Sequence, residues 1–194
     1  MLWMITDFSK TPDIFSAEKS ICEAFKYGAG KVSLRNDGFF SFAEIVHLSE
    51  AVSTKYPQKE VYLHDIPYEK TSKHKYLHFP SSKIDVAIKI KAENPDKRIA
   101  LSTHSEQEFL YAFSNGIDYA FYSPVFKPLS KNKDNRKRVA PIKLKNLYLL
   151  GGIDRMKGRM LIEKGYLNIA GVSLFYGKDA GENIFELASL IKEK

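Results

Sequence analysis

Cysteine is almost missing from this chain: it occurs once in 194 residues, at Cys22. One thiol excludes an intrachain disulfide and suits a reducing, intracellular setting. Long apolar runs are missing too. The opening "MLWMITDFSK" has no basic stretch before its short apolar run, and nothing later nears the length of a membrane span. The expected location is therefore the cytoplasm. Internal repeats and low-complexity segments are absent. The glycine-rich turn that would mark a dinucleotide-binding sheet is replaced, after the first apolar run, by "ITDFSK". The net charge is +7, yet there is no basic stripe interleaved with aromatics and no nucleic-acid-binding module.

What is present is one domain's worth of core. With 44% hydrophobic and 27% charged residues, the chain reads as a single domain over 1–194. The surplus positive charge favours anionic partners without saying which. Seven of the thirty basic residues fall in "KNKDNRKRVAPIKLK", residues 131–145. That segment reads as a solvated, flexible loop, with a lid over an anionic ligand and a nucleic-acid surface as the other readings.

Short apolar runs alternate with amphipathic stretches. The strand candidates are Leu2–Ile5, Lys31–Leu34, Glu60–Leu63, Tyr76–Phe79, Arg98–Ser102, Asp118–Tyr122, Leu147–Leu150 and Ile169–Leu174. Most are β-branched or aromatic, as strands buried on both faces are. Helical spacing covers Ile14 to Tyr27, Phe39 to Val52, Ile84 to Ala92, Ser105 to Asn115, Asp154 to Glu163 and a last apolar face from Ile184 to Ile191. Ser81 and Ser82 are candidate N-caps, and "SEQE" is a capping box of Ser105 and Glu108. Eight such strands predict an α/β protein, a compact (β/α)8 TIM barrel with some helices shortened, weakest after strands three and six.

Barrel enzymes place their chemistry at the C-terminal strand ends. Those ends carry Thr6-Asp7, Arg35-Asn36, His64-Asp65, His78, Ser102-Thr103-His104, Ser123, Gly151-Gly152 and Ser173. The strand starts offer Lys31, Glu60, Lys75 and Arg98, which read as ordinary solvated charges. "LGGID" and "AGVSL" suit phosphate, because glycines let backbone N–H groups approach an anion closely. His64, His78 and His104 come from three strands without a local ligand motif. His104 and His78 read as loop-bonding or pocket-lining groups before a metal site.

The stretch "STHSEQEFLYAFSNGIDYAFYSPVFKPLSK" resembles the thiamine phosphate synthase/TenI family, with its S-x-H-S strand end, G-x-D-Y strand and P-V-F followed by a hydroxyl–lysine pair. "WMITD", "VSLRNDG", "LYLLGGI" and "IAGVSLF" resemble further family segments in order along nearly the whole chain. The resemblance implies a (β/α)8 barrel that joins a pyrimidine methyl pyrophosphate to a thiazole phosphate with Mg2+. It implies catalytic positions at Arg35, Ser102, His104 and Lys131, and a metal-binding Asp65. Ser130, Gly151, Gly152, Gly171, Val172, Ser173 and Lys83 would bind substrate or phosphate. The alternatives it leaves are a TenI-like thiazole phosphate tautomerase, with His104 or His64 as acid/base, and a non-catalytic binder. The implied partners are small phosphorylated heterocycles, without nucleic acid or membrane, and a homodimer is left open. Departures from the synthase pattern are Ser33 for glutamine, Asp37 for lysine, His64 for asparagine and Lys83 for the second metal carboxylate. Pro124 replaces the tautomerase histidine.

Overall fold

Strands with alternate residues buried on opposite faces can close on themselves, and here they do. The computed structural model describes residues 1–126 and 142–194. Its eight strands form a closed parallel barrel in chain order. They are β1 (Leu2–Ile5), β2 (Ala29–Arg35), β3 (Glu60–His64), β4 (Tyr76–Phe79), β5 (Arg98–Thr103), β6 (Tyr119–Tyr122), β7 (Leu147–Leu149) and β8 (Ile169–Gly171). Pairing of β1 with β8 closes the ring. The expected TIM barrel is therefore the observed fold.

Around it pack α1 (Ile14–Tyr27), α2 (Phe42–Lys55), α3 (Tyr68–Thr71), α4 (Ile84–Glu93), α5 (Glu106–Ser114), α6 (Arg155–Glu163) and α7 (Ala180–Lys192). Their starts follow from capping chemistry. Asp13 and Asp154 accept from Ser16 N–H and Lys157 N–H at 2.8 and 2.9 Å. Ser41 and Glu44 form a reciprocal capping box, so α2 begins at Phe42 and not at the expected Phe39. The expected box at Ser105 is half-made: Ser105 accepts from Glu108 N–H, but the Glu108 carboxylate accepts from His104 N–H instead. Ser81 and Ser82 do not cap α4; they belong to a 3-10 turn, Ser81–Lys83. After strand three only the single turn α3 remains, as expected.

The expected strand over Ile169–Leu174 stops at Gly171, and Ser173–Phe175 form a 3-10 turn. The apolar run continues because Leu174 and Phe175 stay buried against the helical layer.

Period-two alternation divides the barrel residues. In β2, Val32 and Leu34 join the outer core between strands and helices. The inner set includes Trp3, Ile5, Tyr62, Ala100, Phe121, Tyr148 and Ala170. Trp3 is fully buried, and its ring centroid lies 4.5 to 5.5 Å from those of Tyr62, Phe121, Tyr148 and Tyr119. One expectation fails at the N-terminal end. Lys31 is 3% exposed, not solvated. Its ammonium pairs with Glu60 and lies 4.4 Å from the centre of the Tyr119 ring. Being on the inward phase of β2, it has only the barrel interior to occupy.

Candidate functional site

The strand register brings the C-terminal ends together. Arg35 lies opposite His64, and His64 opposite His78. The end of β2 is anchored by its neighbour: Arg35 N–H donates to Thr6 Oγ1 at 2.7 Å, and that hydroxyl reaches the Ser33 carbonyl at 3.2 Å. After β3 the backbone turns sharply. Asp65 is left-handed at φ 55°, and its N–H donates to the His78 carbonyl at 2.9 Å. Its carboxylate accepts from Lys83 Nζ at 2.6 Å. One step round the rim, Arg35 grips Asp37 Oδ2 through Nε at 3.0 Å and Nη2 at 2.9 Å. Arg35, Asp65, Lys83 and Ser102, expected to act together, thus share one arc of the mouth.

Beneath this arc runs a chain of hydrogen bonds. Trp3 Nε1–H donates to Ser33 Oγ at 2.9 Å. Ser33 Oγ is 2.9 Å from His78 Nδ1, and His78 Nε2 is 3.0 Å from Ser102 Oγ. Indole only donates, so Ser33 Oγ accepts from Trp3; in the His78 tautomer protonated at Nε2, the Ser33 hydroxyl donates to Nδ1, Nε2–H donates to Ser102, and the Ser102 hydroxyl can donate upward. Such an arrangement requires neutral His78. Burial holds its pKa well below the usual histidine value, helped by His64 and Arg35 nearby. His78 also stacks on Phe121 with centroids 4.6 Å apart, and His64 meets it edge-on at 4.3 Å. Burial pushes His64 down to about 4; Asp65, Arg35, Asp37 and Lys83 all act on its ring. His78 therefore supports the pocket from below and does not line it.

On the other arc, His104 is exposed at the rim, and its Nδ1–H donates to the Ser123 carbonyl at 2.8 Å. The β6 and β7 ends are zipped together by Val125 N–H to Leu150 O at 2.9 Å and Phe126 N–H to Gly151 O at 3.0 Å. A Cβ at Gly151, where φ is 102°, would lie 2.8 Å from Pro124 Cα, so glycine is required there. Lys157 Nζ donates to the Gly152 carbonyl at 3.0 Å and pairs with Asp154. Gly171 is the last residue of β8 and is buried. Val172 is half-buried, and exposed Ser173 opens the following turn. Tyr176 Oη accepts from Asp7 N–H at 2.9 Å, and burial pushes its phenol up to about 12. Ser130 and Lys131, and most of the basic segment, lie outside the described residues.

The reading of the sequence missed Lys157 and Tyr176, met Ser33 only as a departure from the synthase pattern, and named Thr6, Asp7 and His78 at strand ends without the partners that they have here. Ser33 had a signal, since it precedes Arg35 by two on the same inward phase. Tyr176 had none, because its partner is 169 residues away.

The fit of Mg2+ can be judged from the donors. The ion wants one or two free carboxylates beside phosphate oxygens. Asp65 is already held by an ammonium group, and among the described residues no three His, Cys, Asp or Glu side chains gather as a metal site. This donor set does not suit the ion. Two hollows on the barrel flank, of about 310 and 580 Å3, are lined by residues around Leu144 and Tyr166 and around Ser49 and His74. Neither includes the strand-end groups, so volume alone does not mark the site.

The family model described as thiamine monophosphate synthase matches residues 3–175. The chain belongs to the thiamine monophosphate synthase family. A curated protein of Aquifex aeolicus (strain VF5), named "Putative thiamine-phosphate synthase 2", is 31% identical over 110 residues. That match spans 51% of this family member and 56% of the relative, just over half its length. Among solved structures, thiamine phosphate pyrophosphorylase from Pyrococcus furiosus superposes with a TM-score of 0.76 at 20% identity, covering 99% of this chain and 95% of that one. The corresponding protein from Bacteroides thetaiotaomicron gives 0.59 at 17% identity, with 99% and 95% covered. A 3-hexulose-6-phosphate synthase gives 0.69 at 14% identity, with 97% and 98% covered. At such identities these structures speak for the fold.

Proposed function

We propose that this family member takes phosphorylated heterocycles into the barrel mouth and joins a pyrimidine methyl pyrophosphate to a thiazole phosphate, forming thiamine phosphate. The bond from the pyrimidine methylene carbon to pyrophosphate oxygen breaks, the pyrophosphate leaves with the electron pair, and the thiazole nitrogen forms the new C–N bond. Charge grows on the leaving oxygens, so fixed cations and hydrogen-bond donors placed there lower the barrier. Arg35 supplies a planar fork suited to phosphate and Lys83 a mobile point charge. Ser102 adds a hydroxyl donor oriented by His78. Backbone at Gly151-Gly152 and Ser173 receives the thiazole phosphate. No step is routed through Mg2+. The observation that carries the reading is the convergence of Arg35, Lys83 and Ser102 on one arc, opposite the glycine loop of β7. We place this chemistry in the cytoplasm, consistent with the single cysteine and with the lack, among the described residues, of any helix long and apolar enough to cross a membrane. Nucleic acid is not a partner in this reading.

Purified protein given both substrates should release pyrophosphate and form thiamine phosphate, and Arg35→Ala should cut kcat/KM at least tenfold. A well-folded sample without turnover refutes the synthase reading. A second reading, a binder of thiazole or thiamine phosphate without chemistry, is favoured by one observation: Arg35 and Lys83 are both paired with the chain's own carboxylates. It predicts saturable binding of thiamine phosphate with no turnover. Tautomerase chemistry has less support, because Pro124 stands at the acid/base position. It would fall to His64 or His104, and unaltered isomerisation in both His64→Gln and His104→Gln would remove it.

A further inference from the structure

We propose that the arc of the mouth from β2 to β4 is a metal-independent diphosphate site where the cations Arg35 and Lys83 are held in reserve by Asp37 and Asp65, so that a ligand binds by displacing these carboxylates. The proposal rests on the ligand reading above and concerns how that site is controlled. Two ion pairs stand side by side here. Arg35 binds Asp37 through two nitrogens, and Lys83 binds Asp65 at 2.6 Å. Arg35 and His64 are register partners, and Asp65 follows His64 directly, so the two pairs occupy adjacent strand ends. Together the four charges sum to zero. At this arc a diphosphate meets no net charge from these four groups until the carboxylates move aside.

They can move. The four side chains are 35 to 47% exposed, and ion pairs this open to water are weak. The anchoring backbone, by contrast, is fixed by Thr6 on one side and by the Asp65 N–H bond to His78 on the other. Displacement is therefore a side-chain event. The same geometry argues against a metal: recruiting Asp65 to a dication would strand Lys83 beside it as a like charge.

Isothermal titration with inorganic pyrophosphate, in the presence of Mg2+ and of chelator, tests this. If Asp65 were a metal ligand, Asp65→Asn would weaken binding and chelator would abolish it. The proposal predicts the reverse. Asp65→Asn and Asp37→Asn should each tighten binding about two- to fivefold, roughly the worth of an exposed pair, and the double variant about tenfold. Mg2+ should not tighten binding. Asparagine accepts the left-handed backbone that Asp65 adopts, so the variant should keep its fold, and circular dichroism would verify this. Weaker binding in both variants, or binding only with Mg2+, overturns the proposal and leaves the ligand reading standing. No pyrophosphate binding by the wild type or any variant, with no thiamine phosphate binding either, overturns both.

Discussion

The two ends of the barrel interior hold the same kind of ion pair under opposite conditions. At the N-terminal end Lys31 and Glu60 have side chains 4% and 25% exposed. They are enclosed by Trp3, Tyr62 and Tyr119, and Tyr62 Oη donates to the same Glu60 carboxylate. At the C-terminal end Lys83 and Asp65 are 44% and 43% exposed. Burial at the first end makes the pair obligatory, since the Lys31 ammonium left alone there has no water to turn to. Exposure at the second makes the pair dispensable. One end of the barrel is thus spent on holding the fold and the other is available to ligands.

The largest effect should come from removing the centre of the closed end. Trp3→Ala is expected to cost about 4 kcal/mol of stability, the usual range for an aromatic emptied from a core; urea unfolding would measure it, and a loss below about 1 kcal/mol would contradict the packing described. Next is Glu60→Gln. It strands the Lys31 ammonium and should cost about 3 kcal/mol, whereas a loss within experimental error would place Lys31 in solvent.

Acid should act chiefly through the open end, where burial lowers both His64 and His78. His64 protonates near pH 6.5 when unfolded but near pH 4 when folded. In that window the unfolded chain binds more protons, so stability is full above about pH 6.5 and falls as the pH drops toward 4. With a discount for the partly exposed ring, the loss is about 2 kcal/mol, and buried His78 adds in the same direction. Urea midpoints at pH 7 and pH 4.5 should differ accordingly, and His64→Gln should shrink the difference. The smallest effect should be Lys83→Ala, within about 0.5 kcal/mol of wild type. A cost comparable with that of Glu60→Gln would erase the contrast between the ends.

Much of this was legible from residue order. Eight apolar runs separated by capped amphipathic stretches gave the barrel, and the rule that strand ends carry polar groups led to Arg35, Asp65 and Ser102. In "KVSLR" Lys31, Ser33 and Arg35 alternate with Val32 and Leu34, yet a lysine at a strand start reads as solvated, and its inward phase emerges only from the closed barrel. What was not legible is pairing through space. Nothing at Lys31 announces a partner 29 positions on. Nothing at Lys83 reveals that the turn after β3 aims Asp65 toward it. The end of β8 was misjudged because a 3-10 turn that packs on the core is as apolar as the strand it follows.

The anchoring of β2 by Thr6 has a kinetic consequence. With the main chain at Arg35 tied to the neighbouring strand, only the guanidinium arm must reorient when an anion arrives, and exposed side chains do that in nanoseconds or less. Ligand capture should therefore show one rapid relaxation whose rate climbs linearly with ligand concentration, with no slow hinge step limiting it.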